Sequence, residues 1–364
     1  MRLIPIGACM PGMRLAKNIH NEEGLVLLAE RVELTEAIIR KLGLHGVSFL
    51  YIEDKRTEDI VIADVIRAET RQRAMKEIRT EFRRLMTDAM PRKAINAPFF
   101  GKAFKQIISM IVDDLKDNEN AMILLAEISI TDHYLYQHSL SVCLYSLLMG
   151  VAQGYDQNEL MTLGLGALLH DIGKTRIPTD ILFKKGPLDS NELQAMRSHP
   201  ELGFRMLKDE PNIPLLSAHC ALQHHERIDG SGYPRGIKGS NVHSYAQWIG
   251  ILDSYDAMTS YRVYRDTALL PHQAMEELFA GAGTQYDKMK VELFRDRVAL
   301  YPLGLQVKLS TGEAGVVVDL NSRFSQRPVV RVLQDPIGGE VSQPYEIDLS
   351  KNLSVMIIAV HPFD

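Results

Sequence analysis

The pair His170-Asp171, in the stretch LLHDIGK, constrains this chain more than any other feature. Five further metal-type residues stand apart from it: His138, His199, the pair His224-His225, and Asp253. Seven nitrogen and oxygen donors are more than one cation needs. A carboxylate beside a histidine can bridge two ions, and two ions about 3.5–4 Å apart are a recurrent device for hydrolysing phosphate esters. A fold that uses this set must bring all of it to one place, and the reaction class it implies is phosphoester hydrolysis.

Each histidine alone carries little weight, because a lone histidine is usually hydrogen-bonded or at the surface. On that ground His20, His45, His243, His272 and His361 stay unassigned, and His133 and His219 are read as structural. The larger set differs because its members gather in one region as HD, HP and HH-E units. No cysteine accompanies it, which disfavours a structural zinc site. Mixed imidazole and carboxylate donors suit iron, manganese or zinc without choosing among them. Lys174, a turn beyond the HD pair, is the cation placed to hold a phosphate oxygen; the plainer reading is a solvated lysine. Glu226, directly after the His pair, is read as a carboxylate that orients a ligand histidine. Bound metals would acidify water to a hydroxide nucleophile near neutral pH.

Bulk properties set wider limits. The 364 residues leave room for two or three domains, and 46% hydrophobic with 24% charged residues is ordinary for a folded soluble chain. A net charge of −5 argues against a general nucleic-acid surface but leaves room for a local basic pocket. The apolar run at the N-terminus is short and broken by Pro5 and Pro11, unlike a signal peptide. No stretch approaches the roughly 18–20 apolar residues of a membrane helix. Cys9, Cys143 and Cys220 are odd in number and far apart, as expected of reduced thiols. Together these point to a cytoplasmic protein with no membrane span and no nucleic-acid polymer as partner.

The pattern divides the chain at about residues 57, 90 and 300. Residues 1–57 alternate short apolar runs (Arg2–Ile6, Leu25–Leu28, Phe49–Ile52) with turns, around a helix capped by Thr35, carrying Ile38, Ile39 and Leu42, and closed by Gly43. In the connecting helix at 58–90, Met75, Ile78, Phe82 and Leu85 form a narrow apolar seam. Two readings fit: a helix lying on its own domain, or a coiled coil that makes a homodimer. Residues 91–300 look helical. One face is marked by Leu140, Cys143, Leu144, Leu147 and Leu148, with His138 at its start. Another is marked by Met161, Leu165, Leu168 and Leu169, where Gly164 and Gly166 admit a close neighbour. Residues 301–364 turn to β-branched alternation (Val307–Leu309, Gly315–Leu320, Pro328–Gln334), as in a small barrel or sheet.

HDIGK followed by HHERIDGSGYP resembles the HD-GYP family, a branch of the HD metal-dependent phosphohydrolases, over roughly residues 100–300. The resemblance implies a bacterial signal-transduction enzyme: a phosphodiesterase hydrolysing the second messenger cyclic di-GMP to pGpG or GMP. It implies metal ligation by His138, His170, Asp171, His199, His224, His225 and Asp253, with Asp171 bridging two divalent ions. Iron or manganese is favoured; zinc, nickel, cobalt or magnesium would also fit. Lys174 would touch the scissile phosphate, and Arg262 and Arg265, after DSYDAMTS, would grip the substrate phosphates. Some family members carry a glutamate four residues before the first histidine for a third metal; Tyr134 stands there, so two are expected. Asp229, Gly230, Gly232, Tyr233 and Pro234 are read as shaping the site entrance, a place for a signalling partner, rather than as catalytic.

The expected architecture is multidomain: an all-α HD-type helical catalytic domain at 91–300, joined by the 58–90 helix to a small α+β N-terminal module at 1–57. A small β-barrel-like domain at 301–364 follows. A non-catalytic receptor for the cyclic dinucleotide, or an HD-type hydrolase of another nucleotide, are the alternatives; the intact donor set argues against the first and the GYP segment against the second.

Overall fold

The computed structural model describes the chain except residues 22–24, 46, 63–64, 88–99, 117–128, 131–133, 261–267, 322–323 and 362–364. Its N-terminal part holds β1 (Arg2–Pro5), β2 (Ile19–Asn21), β3 (Val26–Leu28), α1 (Glu36–Leu44) and β4 (Phe49–Ile52). Thr35 caps α1 as expected, its hydroxyl accepting the Ile38 amide at 3.3 Å. The helix runs one residue past Gly43, and His45 takes the C-terminal cap. β1 and β4 pair antiparallel over a small core that includes Ile4, Leu15, Leu34, Leu42 and Leu50.

The central part is helical: α2 (Ala68–Thr87), α3 (Phe100–Lys116), a short β5 (Ser129–Ile130), α4 (Tyr134–Ala152) and α5 (Gln157–Leu169). Next come α6 (Thr179–Leu182), α7 (Ser190–Met196), α8 (His199–Leu207), α9 (Leu215–Gln223), α10 (Ser244–Thr259), α11 (Pro271–Ala280) and α12 (Lys288–Arg295). β5 adds to β2 in parallel. One core joins residues from Ile66 to Leu300. Its centre is α4, whose described residues are nearly all buried, so the single apolar face read from Leu140 to Leu148 is one side of a helix covered all round. α5 starts on an Asp156 capping box completed by Glu159. Its Gly164 packs against Ile108 and Leu147, and its Gly166 against Cys220.

The seam of α2 settles the choice between its two readings. Met75, Ile78, Phe82 and Leu85 are buried in the helical core, with Phe82 edge-on to Tyr136 at 6.0 Å. A coiled-coil dimer through this stripe is therefore excluded. The helix is also shorter than expected, because residues 58–67, where described, form turns and bends and are not helical; 88–90 lie outside the described residues.

The C-terminal part is an antiparallel sheet of β6 (Gln306–Leu309), β7 (Ala314–Asp319), β8 (Val329–Gln334), β9 (Glu340–Asp348) and β10 (Ile357–Val360), in the order β10-β6-β7-β8-β9. Among the described residues no strand pairing joins β9 to β10, so this is an open sheet rather than the barrel-like module expected. It packs on the N-terminal part: Leu3 lies in its core and donates its amide to the Gly304 carbonyl at 2.8 Å. The three cysteines are buried and unpaired. Among the described residues no helix is long and apolar enough to cross a membrane.

Phe82→Ala should lower the unfolding free energy by about 3–5 kcal/mol, the usual cost of emptying an aromatic core position. Denaturant titration measures it, and the molar mass in solution should not change, since the residue faces inward.

Candidate metal centre

Seven of the residues singled out as donors converge at the heart of the helical part. The means is repeated. His170 caps the end of α5, His224 caps the end of α9, and His199 opens α8 just after α7. Each directs Nδ1 at the carbonyl three residues back: Ala167 at 2.7 Å, Met196 at 2.8 Å and Ala221 at 2.9 Å. A carbonyl only accepts, so each Nδ1 carries the proton and each neutral ring presents the lone pair of Nε2 to the centre. The same bond satisfies a carbonyl that a helix end leaves without a partner. The fourth ring, His138, one turn into α4, donates Nδ1–H to Asp256 Oδ2 at 2.6 Å.

Asp171 sits between these rings. Its Oδ2 lies 3.5 Å from Nε2 of both His138 and His170, and its Oδ1 lies 3.2 Å and 3.7 Å from Nε2 of His199 and His224. Asp253 adds Oδ1 at 3.1 Å from His138 Nε2 and Oδ2 at 3.7 Å from His225 Nδ1. Two donor groups result, His138–His170–Asp171 and Asp171–His199–His224–His225, with donor atoms in each within 4.8 Å of one another. They share Asp171.

The donor set fits cations on grounds beyond the resemblance. His138 and His170 bring their Nε2 atoms to 3.3 Å, and so do His199 and His224. In the His199–His224 pair both Nδ1 atoms carry the proton, so two lone pairs face each other and repel unless a positive charge lies near both. Asp171 Oδ1 is fully buried and makes no hydrogen bond. A buried anionic oxygen of that kind is costly without a compensating charge. Lys174 meets part of the need, its Nζ donating to Oδ2 at 2.5 Å.

Electrostatics keep most of the rings ready to bind. Burial pushes His170 down to about 3 and lowers His199 and His225 as well. His138 is different: burial acts to lower it, but Asp171, Asp253 and Asp256 hold it well above its ordinary value. Burial acts to raise Asp171, yet Lys174 and His170 keep it well below the carboxylate range; His138 and His225 do the same for Asp253.

The GYP segment forms the wall beside His225. Tyr233 stacks on that ring with centroids 4.6 Å apart, and the Arg197 guanidinium lies over the tyrosine ring at 5.3 Å. The Tyr233–Pro234 peptide is cis. Gly232 passes so close to Arg227 and His225 that a Cβ would collide with their backbone. Glu226 belongs to this loop: its carboxylate accepts the amides of Arg235 (2.8 Å) and Ile237 (3.1 Å) and so pins the segment beside the His pair. Asp229 is taken up by Ser231, through amide and hydroxyl, inside the same loop.

Two contributors escaped the sequence reading. Asp256 holds His138, and its place one turn after Asp253 on α10 was the available signal. Gly173 lies against the His199 carbonyl and Gly203 amide, where any Cβ would clash; this lets the HD turn meet the first turn of α8. His219 packs beside Phe204 outside the centre, and His243 caps α10 by accepting the Tyr245 amide. His133, Arg262, Arg265 and the side chain of Tyr134 lie outside the described residues.

Comparison with known proteins agrees with this picture. Residues 122–289 match the family described as HD domain, and residues 306–362 match the KOW domain associated with HD domain. The matched HD domain contains HDIGK and HHERIDGSGYP, the segments that carry the resemblance to the HD-GYP family. The cyclic di-GMP phosphodiesterase PA4108 of Pseudomonas aeruginosa is 35% identical over 215 residues, which cover 58% of this chain and 51% of that protein. The cyclic di-GMP phosphodiesterase response regulator RpfG of Xanthomonas campestris is 34% identical over 165 residues, 45% of this chain and 43% of its own length. For the cyclic di-GMP phosphodiesterase of Thermotoga maritima the values are 40% over 143 residues, 39% and 38%. The chain thus spans about half, or less, of the length of these relatives.

Asp256→Asn should keep the fold but weaken metal binding by about 10–100-fold, the usual effect of losing a ligand's outer partner. A metal titration, with circular dichroism as control, reads it. The pH response of the metal-free protein follows from the lowered histidines. Unfolded, they take up protons near pH 6.5, while the folded His170 refuses one until about pH 3. Stability therefore falls as pH drops below about 6.5, by up to roughly 1.4 kcal/mol per pH unit for each such ring. The raised His138 contributes stability that is fully present below that pH, so it does not reverse the trend. Thermal melts in chelator at pH 7 and pH 5 should show the loss, and His170→Asn should narrow it.

Proposed function

We propose that this chain is a metal-dependent phosphodiesterase that opens cyclic di-GMP to pGpG or GMP. The observation that carries the reading is the Asp171 carboxylate, one oxygen toward His138 and His170 and the other toward His199 and His224. His138, His170 and Asp253 would hold one divalent ion, His199, His224 and His225 a second, and Asp171 both. When bound, such a pair supplies Lewis acidity at a phosphoryl oxygen and acidifies water. Iron and manganese suit the donors best. Two ions per chain are proposed rather than three, because Tyr134 replaces the glutamate that some relatives carry.

The chain's own groups do the rest. The helix-end carbonyls and Asp256 hold the rings so that their donor atoms need no reorganisation. Lys174, anchored on Asp171, is within reach of a phosphate oxygen bound above that carboxylate and would offset charge developing on it. Arg262 and Arg265 follow α10 closely in sequence and are proposed to take the remaining substrate phosphates. Tyr233, stacked on His225, would shield that side of the centre from water. Support for the substrate comes from the relatives named above, each called a cyclic di-GMP phosphodiesterase.

The test is anaerobic incubation of the purified protein with cyclic di-GMP and Fe(II), Mn(II) or chelator, with products separated by chromatography. Metal-dependent linear product is expected. Asp171→Ala should abolish turnover and cut the metal content measured by elemental analysis; turnover retained in that variant would refute the bridging role. Tight binding of the dinucleotide without turnover under every metal would instead identify a receptor.

A further inference from the structure

A cavity of about 300 Å³ opens where the helical part meets the C-terminal sheet, away from the metal centre. His272, Glu276 and Phe279 of α11, Arg295 at the end of α12, Tyr301 and Arg327 contribute to its walls. None of them is a donor of the metal centre.

Three observations bear on what this cavity accepts. The His272 and Tyr301 rings stack with centroids 5.3 Å apart and planes 22° from parallel, which gives a flat aromatic surface. Two guanidinium groups supply positive charge. Arg295 is paired with Asp296 at 2.8 Å, whereas Arg327 is held by the carbonyls of Leu353 (3.2 Å) and Val355 (2.9 Å). A carbonyl has no net charge, so these bonds fix the Arg327 guanidinium in place without neutralising it. Finally, Nδ1 of His272 is buried without a well-formed hydrogen bond, although the ring lies by the Leu300 backbone. Buried polar atoms are nearly always paired, so one without a well-formed bond beside a cavity marks a place for a partner.

We infer that this cavity binds a small anion bearing one flat ring, of mononucleotide size. The ring lies against the His272–Tyr301 stack and the anionic group faces Arg327 and Arg295. Glu276 accepts from ring N–H groups, an arrangement that favours guanine over adenine. The volume is at the lower end of the roughly 300–1,000 Å³ typical of ligand sites, too small for a cyclic dinucleotide. The site is one helix from the metal centre: α11 packs on α10, which carries Asp253 and Asp256, and the Leu269 amide donates to Met258 at 2.8 Å just before α11.

The experiment is calorimetric titration of the full chain with GMP, beside the variants Arg327→Gln, Met356→Trp and Asp171→Asn. Met356 also lines the cavity and is 55% exposed, so a tryptophan there fills the space without disturbing a core. Saturable binding by the wild type is expected. Arg327→Gln should weaken it about tenfold or more, the loss of one charge-assisted contact. Met356→Trp should weaken it comparably, Asp171→Asn should leave it unchanged, and inorganic phosphate should not compete at equal concentration. No saturable binding would overturn the inference, as would binding that survives Met356→Trp in a folded protein. Loss of binding in Asp171→Asn would place GMP at the metal centre instead, and displacement by phosphate would reduce the cavity to a plain anion site. Because the readout is binding, its failure is separate from any failure of cyclic di-GMP turnover.

Discussion

The Asp171 carboxylate is wholly buried among four imidazoles, and the helical core is arranged around making that tolerable. An ionised group in such a place needs compensating charge and a complete set of hydrogen bonds around it. Three of the rings that face it are tied, in turn, to carbonyls that helix ends would otherwise leave without partners, and the fourth, His138, is tied to Asp256. Helix packing and donor geometry are therefore the same set of contacts. Shifting α5, α8 or α9 by an ångström moves a ligand by as much, and the Gly173 contact that seats α8 against the HD turn belongs to the chemistry as much as to the core.

The donors were legible because their identities are chemical: imidazole and carboxylate in HD and HH pairs have few other reasons to gather. Their supports were less so. Asp256 stands one turn from Asp253, yet its role depends on α4 crossing α10 with His138 at the crossing, which no local pattern encodes. The carbonyl anchors are invisible in principle, since every residue has a carbonyl. Glu226 follows the His pair directly, but the chain turns there and sends its carboxylate into the loop, which adjacency in sequence does not encode.

The fold was legible to a similar depth. Turn formers and β-branched runs marked most of the strands of both end modules, and Thr35 marked the start of α1. Periodicity marked a stripe on α2 but could not say what covers it, because a helix packed on its own domain and a helix packed on a copy need the same stripe. Whether the C-terminal strands close was equally out of reach: closure depends on β9 meeting β10, and each strand's pattern would be the same either way.

The two ends of the chain are fastened to each other. Arg331 of β8 grips Asp59 through both nitrogens at 2.6 Å and Glu346 at 2.7 Å, Phe49 stacks on His361, and Ile60 is buried with Val316 and Leu333. Leu3 completes the sheet's own core. In mechanical terms the first sixty or so residues and the last sixty are one joined piece, not two independent pendants. With its apolar stripe buried in the core, α2 does not stand free as a rod to carry torque from one end inward. Anything that grips the N-terminal module pulls on the sheet as well, so the two must be transplanted, or lost, together.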